Sequence, residues 1–510
     1  MLCAKESFRN HSFVQSHASA SVISLESMTS NNLHNSEPSN KKRRGSSSKE
    51  SIACMLILLA SRSTFTISAF KLSHSLLLPI SIRREAGLLR KKSNLPSNRK
   101  YFATMSHSEN NTFGGENDIV ENEVKRAKFI STSSTAMSEA GARIRSGHLV
   151  SFPTETVYGL GCHAIDPVAV SRVFEAKERP LSDPLIVHVN EAQNGLKLWD
   201  ACVCDGEHNL EKDALEALTE RFWPGPLTLV AKAAPEIPSI IMANTGFVAC
   251  RSPSHPIARA LIAASGVPIA APSANKFGHV SPTRASHVMN DLGSEDVWIV
   301  DPDLAKQNHD ALVCDIGVES TVVKVLMSTE TSGIVSILRH GAISSTNLKN
   351  CLEAAGLSAH FQVNEKMQST DDTVNHVAPG QTIRHYSPNV QSFMISHEKY
   401  SKGLVNGLDH SDEIKCLEGA VIIDFGGRLH TLKKNALAYR DLSTGGNSNI
   451  AAANIFDTLR WAENIENAQR VYFPELVVDE SDYKEGDTLI MAVKDRLTRA
   501  ASGVVIDVLQ

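Results

Sequence analysis

The sequence predicts an α/β protein made of two unequal domains joined by a linker. Three features carry that expectation. Apolar strand-like runs alternate with helical periodicity from residue 134 to about 356. A polar, poorly periodic stretch over 357–378 then breaks the pattern. A shorter alternation of the same kind fills the rest of the chain. A chain of 510 residues has room for two or three domains, and its 42% hydrophobic content suffices for their cores.

In chain order, Met137–Arg145 reads as a helix ended by Gly147, and His148–Pro153 as a buried strand. Asp166 can cap the next helix, with Pro167 at its first position, where a missing N–H costs nothing. Val170, Val173, Phe174 and Lys177 share one face of it, and Pro180 ends it. Leu185–Val189 reads as a strand. Leu215, Leu218 and Phe222 mark a helix that stops at Trp223-Pro224-Gly225-Pro226. Strands are expected at Leu227–Ala231 and Phe247–Arg251. Pro256–Ser265 reads as a helix closed by Gly266, and Val267–Ala271 as a strand. Ser281-Pro282 is expected to open another helix, whose N-terminus can receive an anion. Val297–Val300, Ser320–Val325 and Val335–Leu338 read as strands, and Asn347–Ala355 as the helix that completes the first domain.

In the second domain Val421–Asp424 and Val471–Phe473 read as strands. Ala452, Ile455, Phe456 and Leu459 mark an amphipathic helix, and Ile490–Ala501 a final helix closed by Gly503. The expectation there is a smaller Rossmann-like domain, but its glycines form no G-x-G-x-x-G, so no dinucleotide site is expected. The divisions expected are a leader at 1–104, a flexible lead-in at 105–133, a first domain at 134–356, a linker and lid at 357–390, and a second domain at 391–510.

Charge sets the leader apart. Residues 1–104 hold 16 Lys/Arg against 5 Asp/Glu, a balance of +11, while the remainder stands at −16. This leader is Ser-rich and acid-poor, with basic clusters at Lys41-Lys42-Arg43-Arg44, Arg83-Arg84 and Arg90-Lys91-Lys92. Such composition suits a transit peptide for a plastid or mitochondrion. Met105 offers an internal start that would leave the product in the cytoplasm. The apolar run Ile52–Ala60 is about half the length a bilayer crossing needs, so no membrane span is expected. Nine cysteines are scattered without a C-x-x-C pair, which predicts reduced structural thiols and no metal site.

Chemistry concentrates in the first domain. Phe152-Pro153-Thr154-Glu155-Thr156-Val157-Tyr158-Gly159-Leu160-Gly161 puts hydroxyls beside a glycine turn, where Gly159 and Gly161 would let the backbone approach a ligand and Thr156 would contact a small polar molecule. Lys177 and Arg179 are cations at a helix end, the latter stiffened by Pro180-Leu181-Ser182-Asp183-Pro184 and suited to phosphate. His188 lies within a strand, where a satisfied core residue is the commoner role. Arg251, Ser273, Asn275, Ser281, Ser320 and Arg339 fall at successive strand ends or the loops that follow them, which points to one cleft for phosphates and a small acid.

These motifs resemble a known family. PTETVYGLG, the K-x-R-P-x-x-x-P-L-I-V-H-V run, FWPGPLTL, the arginine of CRSPSHP, APSAN followed by SPT, ESTVV, ILR-x-G and the linker PG-x-x-x-RHYSP are together similar to the two-domain threonylcarbamoyl-AMP synthases, with their YrdC-like first domain. FDTLR and DRLTRAA resemble helices of the family's second domain. The resemblance implies a YrdC-like twisted mixed sheet. It also implies that L-threonine, bicarbonate or CO2, and ATP give L-threonylcarbamoyladenylate and pyrophosphate. That product feeds tRNA N6-threonylcarbamoyladenosine synthesis by a downstream transferase machinery, with tRNA a conceivable direct partner.

By motif position Thr156, His188, Arg251, Ala271 and Ser320 would bind threonine. Arg179, Asp183, Phe247, Ser273, Asn275, Ser281, Arg339 and Tyr386 would serve ATP, with Asn275 supporting the loop. Lys177 and Arg179 would be the catalytic cations, and Mg²⁺ would accompany the ATP. The linker with His385 and Tyr386 would be a lid. Four positions depart from the pattern: Asp183 stands where Asn is common, His340 replaces the usual Pro, Phe247 a smaller residue, and Asp487–Met491 lacks the glycine-rich run. An RNA-binding module is the alternative, disfavoured by an acidic body without aromatic interleaving. Carbamoyl transfer as in hydrogenase maturation would come with C-x-x-C modules that are missing from this chain.

Overall fold

The computed structural model describes residues 126–203, 209–307, 309–310, 313–365, 376–379, 386–402, 417–478 and 489–507. The chain divides into two units at residue 112, and every described residue belongs to the second. The leader, Met105 and most of the lead-in, together with His385 and Asp487, lie outside the described residues.

The first domain runs β1 (Lys128–Ile130), α1 (Ser134–Arg145), β2 (Leu149–Pro153), β3 (Tyr158–His163), α2 (Pro167–Lys177), β4 (Ile186–His188), α3 (Leu210–Phe222), β5 (Leu227–Lys232), β6 (Phe247–Arg251), α4 (Pro256–Ser265), β7 (Ile269–Ala270), α5 (Ala285–Leu292), β8 (Val297–Val300), β9 (Thr321–Met327), β10 (Gly333–Arg339), α6 (Ser345–Ala354) and β11 (Phe361–Glu365). Its eleven strands form one mixed sheet in the order β1-β8-β2-β3-β7-β4-β6-β5-β9-β10-β11.

Local chemistry accounts for the helix ends. Asp166 accepts from the Val168 N–H at 2.9 Å, with Pro167 inside the first turn of α2. That helix stops at Glu178 in a left-handed conformation (φ 56°), whose N–H bonds back to the carbonyls of Phe174 and Glu175. Gly266 ends α4 the same way at φ 64°. Ser344 and Asn347 close a reciprocal capping box on α6.

Three expectations are corrected. Tyr158–Gly161 is not a turn but the body of β3, antiparallel to β2. A Cβ on Gly161 would lie 2.8 Å from both Ile269 and Phe152, so this glycine serves sheet packing rather than ligand approach. The helix after Ser281 begins only at Ala285, with Arg284 as its cap residue, so Ser281 neither caps it nor offers its N-terminus. In the first domain two further strands fall where none was expected. β1 lies in the segment read as a lead-in and pairs parallel with β8. β11 lies in the segment read as linker and pairs parallel with β10. Both are sheet edges with weak patterning, and they form because a neighbouring strand supplies hydrogen bonds.

The second domain comprises β12 (Gln391–Ile395), β13 (Ala420–Asp424), β14 (Ala438–Asp441), α7 (Ser448–Glu463), β15 (Arg470–Pro474), α8 (Ile490–Ala500) and β16 (Val505–Ile506). Its sheet is parallel throughout, in the order β14-β13-β15-β12-β16. That order places β15 between β13 and β12, unlike the dinucleotide-binding arrangement, in keeping with the missing glycine fingerprint. One apolar core joins the two domains: Val157, Val280 and Val318 of the first pack with Phe456, Leu459, Val493 and Leu497 of the second. Among the described residues no helix is long and apolar enough to cross a membrane.

Candidate active site

The site grows from the turn between β2 and β3. Thr154 donates its hydroxyl to the Val157 carbonyl at 2.7 Å and accepts from the backbone N–H groups of Thr156 and Val157. That ties the turn and holds Thr156 Oγ1 2.8 Å from Thr154 Oγ1. The end of β6 supplies Arg251, which donates from Nη1 to Thr156 Oγ1 at 2.9 Å and from Nε to the Gly225 carbonyl at 3.1 Å. Its Nη2 stands 2.6 Å from Glu155 Oε1, an ion pair buried on both sides. Burial pushes the Glu155 carboxyl up, but Arg251 and the Ser254 N–H outweigh it and hold the group below its usual range.

His188 ends β4 beside this arginine. Its Nδ1 donates to the Ile186 carbonyl at 3.1 Å, and its ring meets Phe152 edge-on. Burial, reinforced by Arg251, pushes its pKa down to about 3, so the imidazole is neutral at any physiological pH. From the start of β9 comes Ser320. Its Oγ lies 2.7 Å from Thr228 Oγ1 and accepts from Arg339 Nη2 at 3.1 Å, while Arg339 Nε donates to the Ser320 carbonyl.

Arg179 follows α2. It donates to the carbonyls of Asp183 and Pro184, and its Nη2 is 2.9 Å from Asp183 Oδ2. Both partners are buried. Desolvation pushes the Asp183 carboxyl above its usual range despite the arginine beside it. Lys177 is 1% exposed, and its ammonium is used by the loop, donating to the carbonyls of Ser273 and Asn275. Burial and the nearby Arg179 hold its pKa well below the normal lysine value.

These groups meet in one place. A cavity of about 50 Å³ is lined by Thr154, Thr156, Val157, Gly159, Arg179, Ile186, His188, Arg251, Ala271, Pro272, Ser273, Glu319, Ser320, Arg339, Pro379 and Tyr386. Thr156, Arg179, His188, Arg251, Ala271, Ser273, Ser320, Arg339 and Tyr386 are therefore brought together as the sequence predicts. Pro379 and Tyr386 of the linker add to the lining, the latter buried at φ 62°. Asp183 lines a larger neighbouring cavity of about 1140 Å³, so its pair with Arg179 stands between the two spaces.

The remaining predicted residues stand elsewhere. Lys177 and Asn275 lie behind the wall. Asn275 braces the loop by donating to the carbonyls of Lys276 and His279. Ser281 reaches the site indirectly, donating to Glu319 Oε1. Phe247 does not reach it: it sits at the far end of β6 from Arg251, under the ammonium of Lys324. Four residues along a strand is roughly 13 Å, too far to share a small cavity.

Sequence reasoning gave no role to Thr154, Glu155 or Glu319, or to the second domain's Arg496, which donates from Nε to Glu319 Oε2 at 3.0 Å. The first two lie within the PTETVYGLG run and were within reach. The last contact joins positions 177 residues apart.

Comparison with known proteins agrees with this geometry. A family model described as "Telomere recombination", covering the Sua5, YciO and YrdC proteins, matches residues 142–341, and one described as "Threonylcarbamoyl-AMP synthase, C-terminal domain" matches residues 343–502. Two solved structures of Pyrococcus abyssi Sua5, one of them complexed with L-threonine, superpose with a TM-score of 0.59 each. They are 30% and 29% identical, covering 74% and 75% of this chain and 98% and 99% of theirs.

The chain belongs to the threonylcarbamoyl-AMP synthase family.

Curated threonylcarbamoyl-AMP synthases from Pyrococcus abyssi and Bacillus subtilis are 38% and 37% identical over 256 and 260 residues. Those alignments cover 50% and 51% of this chain and 66% of each relative. Within the family, then, the YrdC-like sheet supplies the cleft and the second domain adjoins it.

Proposed function

We propose that this family member makes L-threonylcarbamoyladenylate and pyrophosphate from L-threonine, bicarbonate or CO2, and ATP. The observation that carries the reading is the cleft itself. Hydroxyl and guanidinium groups from six separate chain segments, those of Thr156, Arg179, Arg251, Ser273, Ser320 and Arg339, converge on one cavity beside the Arg179–Asp183 pair. Arg251 and the hydroxyls of Thr156 and Ser320 form a polar end suited to an amino acid. Arg179, Ser273 and Arg339 form a cationic end suited to a triphosphate.

In the reaction the threonine amine attacks CO2, a C–N bond forms, and a proton is lost to give the carbamate. A carbamate oxygen then attacks the α-phosphorus of ATP, and the bond to the bridging oxygen breaks as pyrophosphate leaves. No covalent enzyme intermediate is needed. His188, with a pKa of about 3, is a poor base, so the protein's contribution is positioning and charge stabilisation. Pro379 and Tyr386, in the cavity wall, would help to keep water from the labile carbamate.

Mg²⁺ would enter with the triphosphate. Among the described residues no group of three or more His, Cys, Asp or Glu side chains could hold a metal on its own. Asp183 Oδ1, however, is buried without a hydrogen-bond partner, and a hard cation carried mostly by phosphate oxygens needs only one or two carboxylates. Bound there, the ion would neutralise charge on the phosphates.

The product would pass to a tRNA threonylcarbamoyltransferase machinery. The leader would direct the protein to a plastid or mitochondrion, with a cytoplasmic form from Met105; fluorescent fusions to 1–104 and to 105–510 separate these. For the activity, Thr156→Ala and Arg179→Ala are each expected to lower threonine-dependent pyrophosphate release at least about 100-fold. Full activity in both folded variants sinks the assignment.

A further inference from the structure

We propose that Arg496, on the last long helix of the second domain, is a positioning residue of the nucleotide end of the cleft, acting through Glu319 and Tyr386. The inference rests on the adenylate-forming reading above and adds to it a role for the second domain.

Arg496 is fully buried, and its neighbours explain how a charge is held there. Its Nε donates to Glu319 Oε2 at 3.0 Å, and its Nη1 pairs with Asp495 at 2.6 Å. The guanidinium lies over the Tyr386 ring, 5.2 Å from its centre, while Phe456 of α7 contacts the same ring at 5.3 Å. Glu319 and Tyr386 both line the cleft, so one side chain from the second domain holds two parts of its wall.

Electrostatics give the contact a purpose. Glu319 is a carboxylate in the wall that also holds Arg339, the guanidinium proposed to meet phosphate. An unmatched carboxylate there would repel a triphosphate. Ser281 occupies one of its oxygens and Arg496 the other, which neutralises the charge and fixes the orientation. Arg339 itself donates to the carbonyl and hydroxyl oxygens of Ser320, which carry no charge to offset its own.

The surrounding packing points the same way. The buried first-domain residues of the shared core are Val157, Val280 and Val318, the chain neighbours of Thr156, Ser281 and Glu319. Ser387, next to Tyr386, donates to the carbonyls of Arg499 and Ala500 at the end of α8. The second domain thus contacts both Tyr386 and the chain around Glu319, with Arg496 touching each.

The test uses the full chain and its Arg496→Met, Arg496→Lys and Glu319→Gln variants, with the Met and Gln changes also combined. ATP dependence of pyrophosphate release is measured beside threonine binding by calorimetry without ATP. Arg496→Met should cut kcat/KM for ATP by about tenfold or more, the scale of one charged hydrogen bond, with a smaller change in threonine affinity. Combined with Glu319→Gln it should lose little beyond the worse single variant, because both changes remove one interaction.

Unchanged ATP kinetics in folded Arg496→Met, or full additivity with Glu319→Gln, overturns the proposal. Should Arg496→Met not fold, Arg496→Lys decides, since it keeps the charge but cannot both pair and stack. A KM for ATP raised at least about threefold then supports the role, and a wild-type value refutes it. Absence of pyrophosphate release in the unaltered chain would instead sink the adenylate reading, a result that does not depend on Arg496.

Discussion

At the scale of single residues the cleft is a set of charges made tolerable by their neighbours. Glu155 with Arg251, Asp183 with Arg179, and Glu319 with Arg496 are each buried, and each would be costly if one partner were removed. His188 differs, because burial keeps it neutral. Its folded pKa of about 3 lies below the ordinary 6.5. Below pH 6.5 the unfolded chain therefore binds a proton that the folded chain refuses, and stability falls as pH drops from 6.5 toward 3. The pH profile of kcat/KM between 6 and 8 is expected to show no inflection from this group. A profile recorded for the native chain and for His188→Asn checks this: an inflection near 6.5 lost in the variant contradicts it. The Thr-x-Thr spacing behind the turn was readable in advance. The Glu155–Arg251 pair was not, since it joins positions 96 apart, one in the turn after β2 and the other at the end of β6.

At the scale of elements, strands with dense apolar runs and helices with clear caps fell where their residues place them. Phe247–Arg251 and Pro256–Ser265 match to the residue. Edge strands did not, because β1 and β11 owe their form to partners rather than to their own pattern. The loop ahead of β9 shows how closely elements meet. Gly317 has φ 74°, and a Cβ there would fall 2.5 Å from Ala453 Cα and 2.6 Å from the Ala452 carbonyl of α7. Gly317→Ala should therefore push α7 away, costing roughly 2–4 kcal/mol in strain and overpacking and moving Glu319 with the loop. Denaturant unfolding of this variant with an activity assay at saturating ATP measures both effects; unchanged stability would show that the loop and helix can part freely.

At the scale of the whole molecule the domains are joined by the shared apolar core and by a ring of charge. Asp457, Arg460 and Glu463 recur at helical spacing along α7 and meet Arg284, Asp291 and His279 of the first domain. His279 lies between Asp291 at 2.8 Å and Glu463 at 2.9 Å. Burial lowers its pKa, but these two carboxylates outweigh it and raise the value to about 9. A raised folded pKa means the stabilisation is complete below pH 6.5 and lost as pH climbs through 9. Thermal melts from pH 6 to 9.5 should show the native chain losing an advantage over His279→Gln on the order of 2 kcal/mol across that window. A difference between the two that is constant with pH refutes the clamp.

The chain by itself determined the α/β class, the run of strand ends that carry polar groups, and the family motifs, because each is written in contiguous residues with a local physical cause. Only the tertiary structure decided which of those groups share a cavity. Lys177 is used up by the Ser273–Asn275 loop, Phe247 lies a strand's length from Arg251, and the second domain reaches the wall through Arg496. Buried charges take whichever opposite partner folding brings within reach, and sequence spacing holds no record of a partner met from another domain.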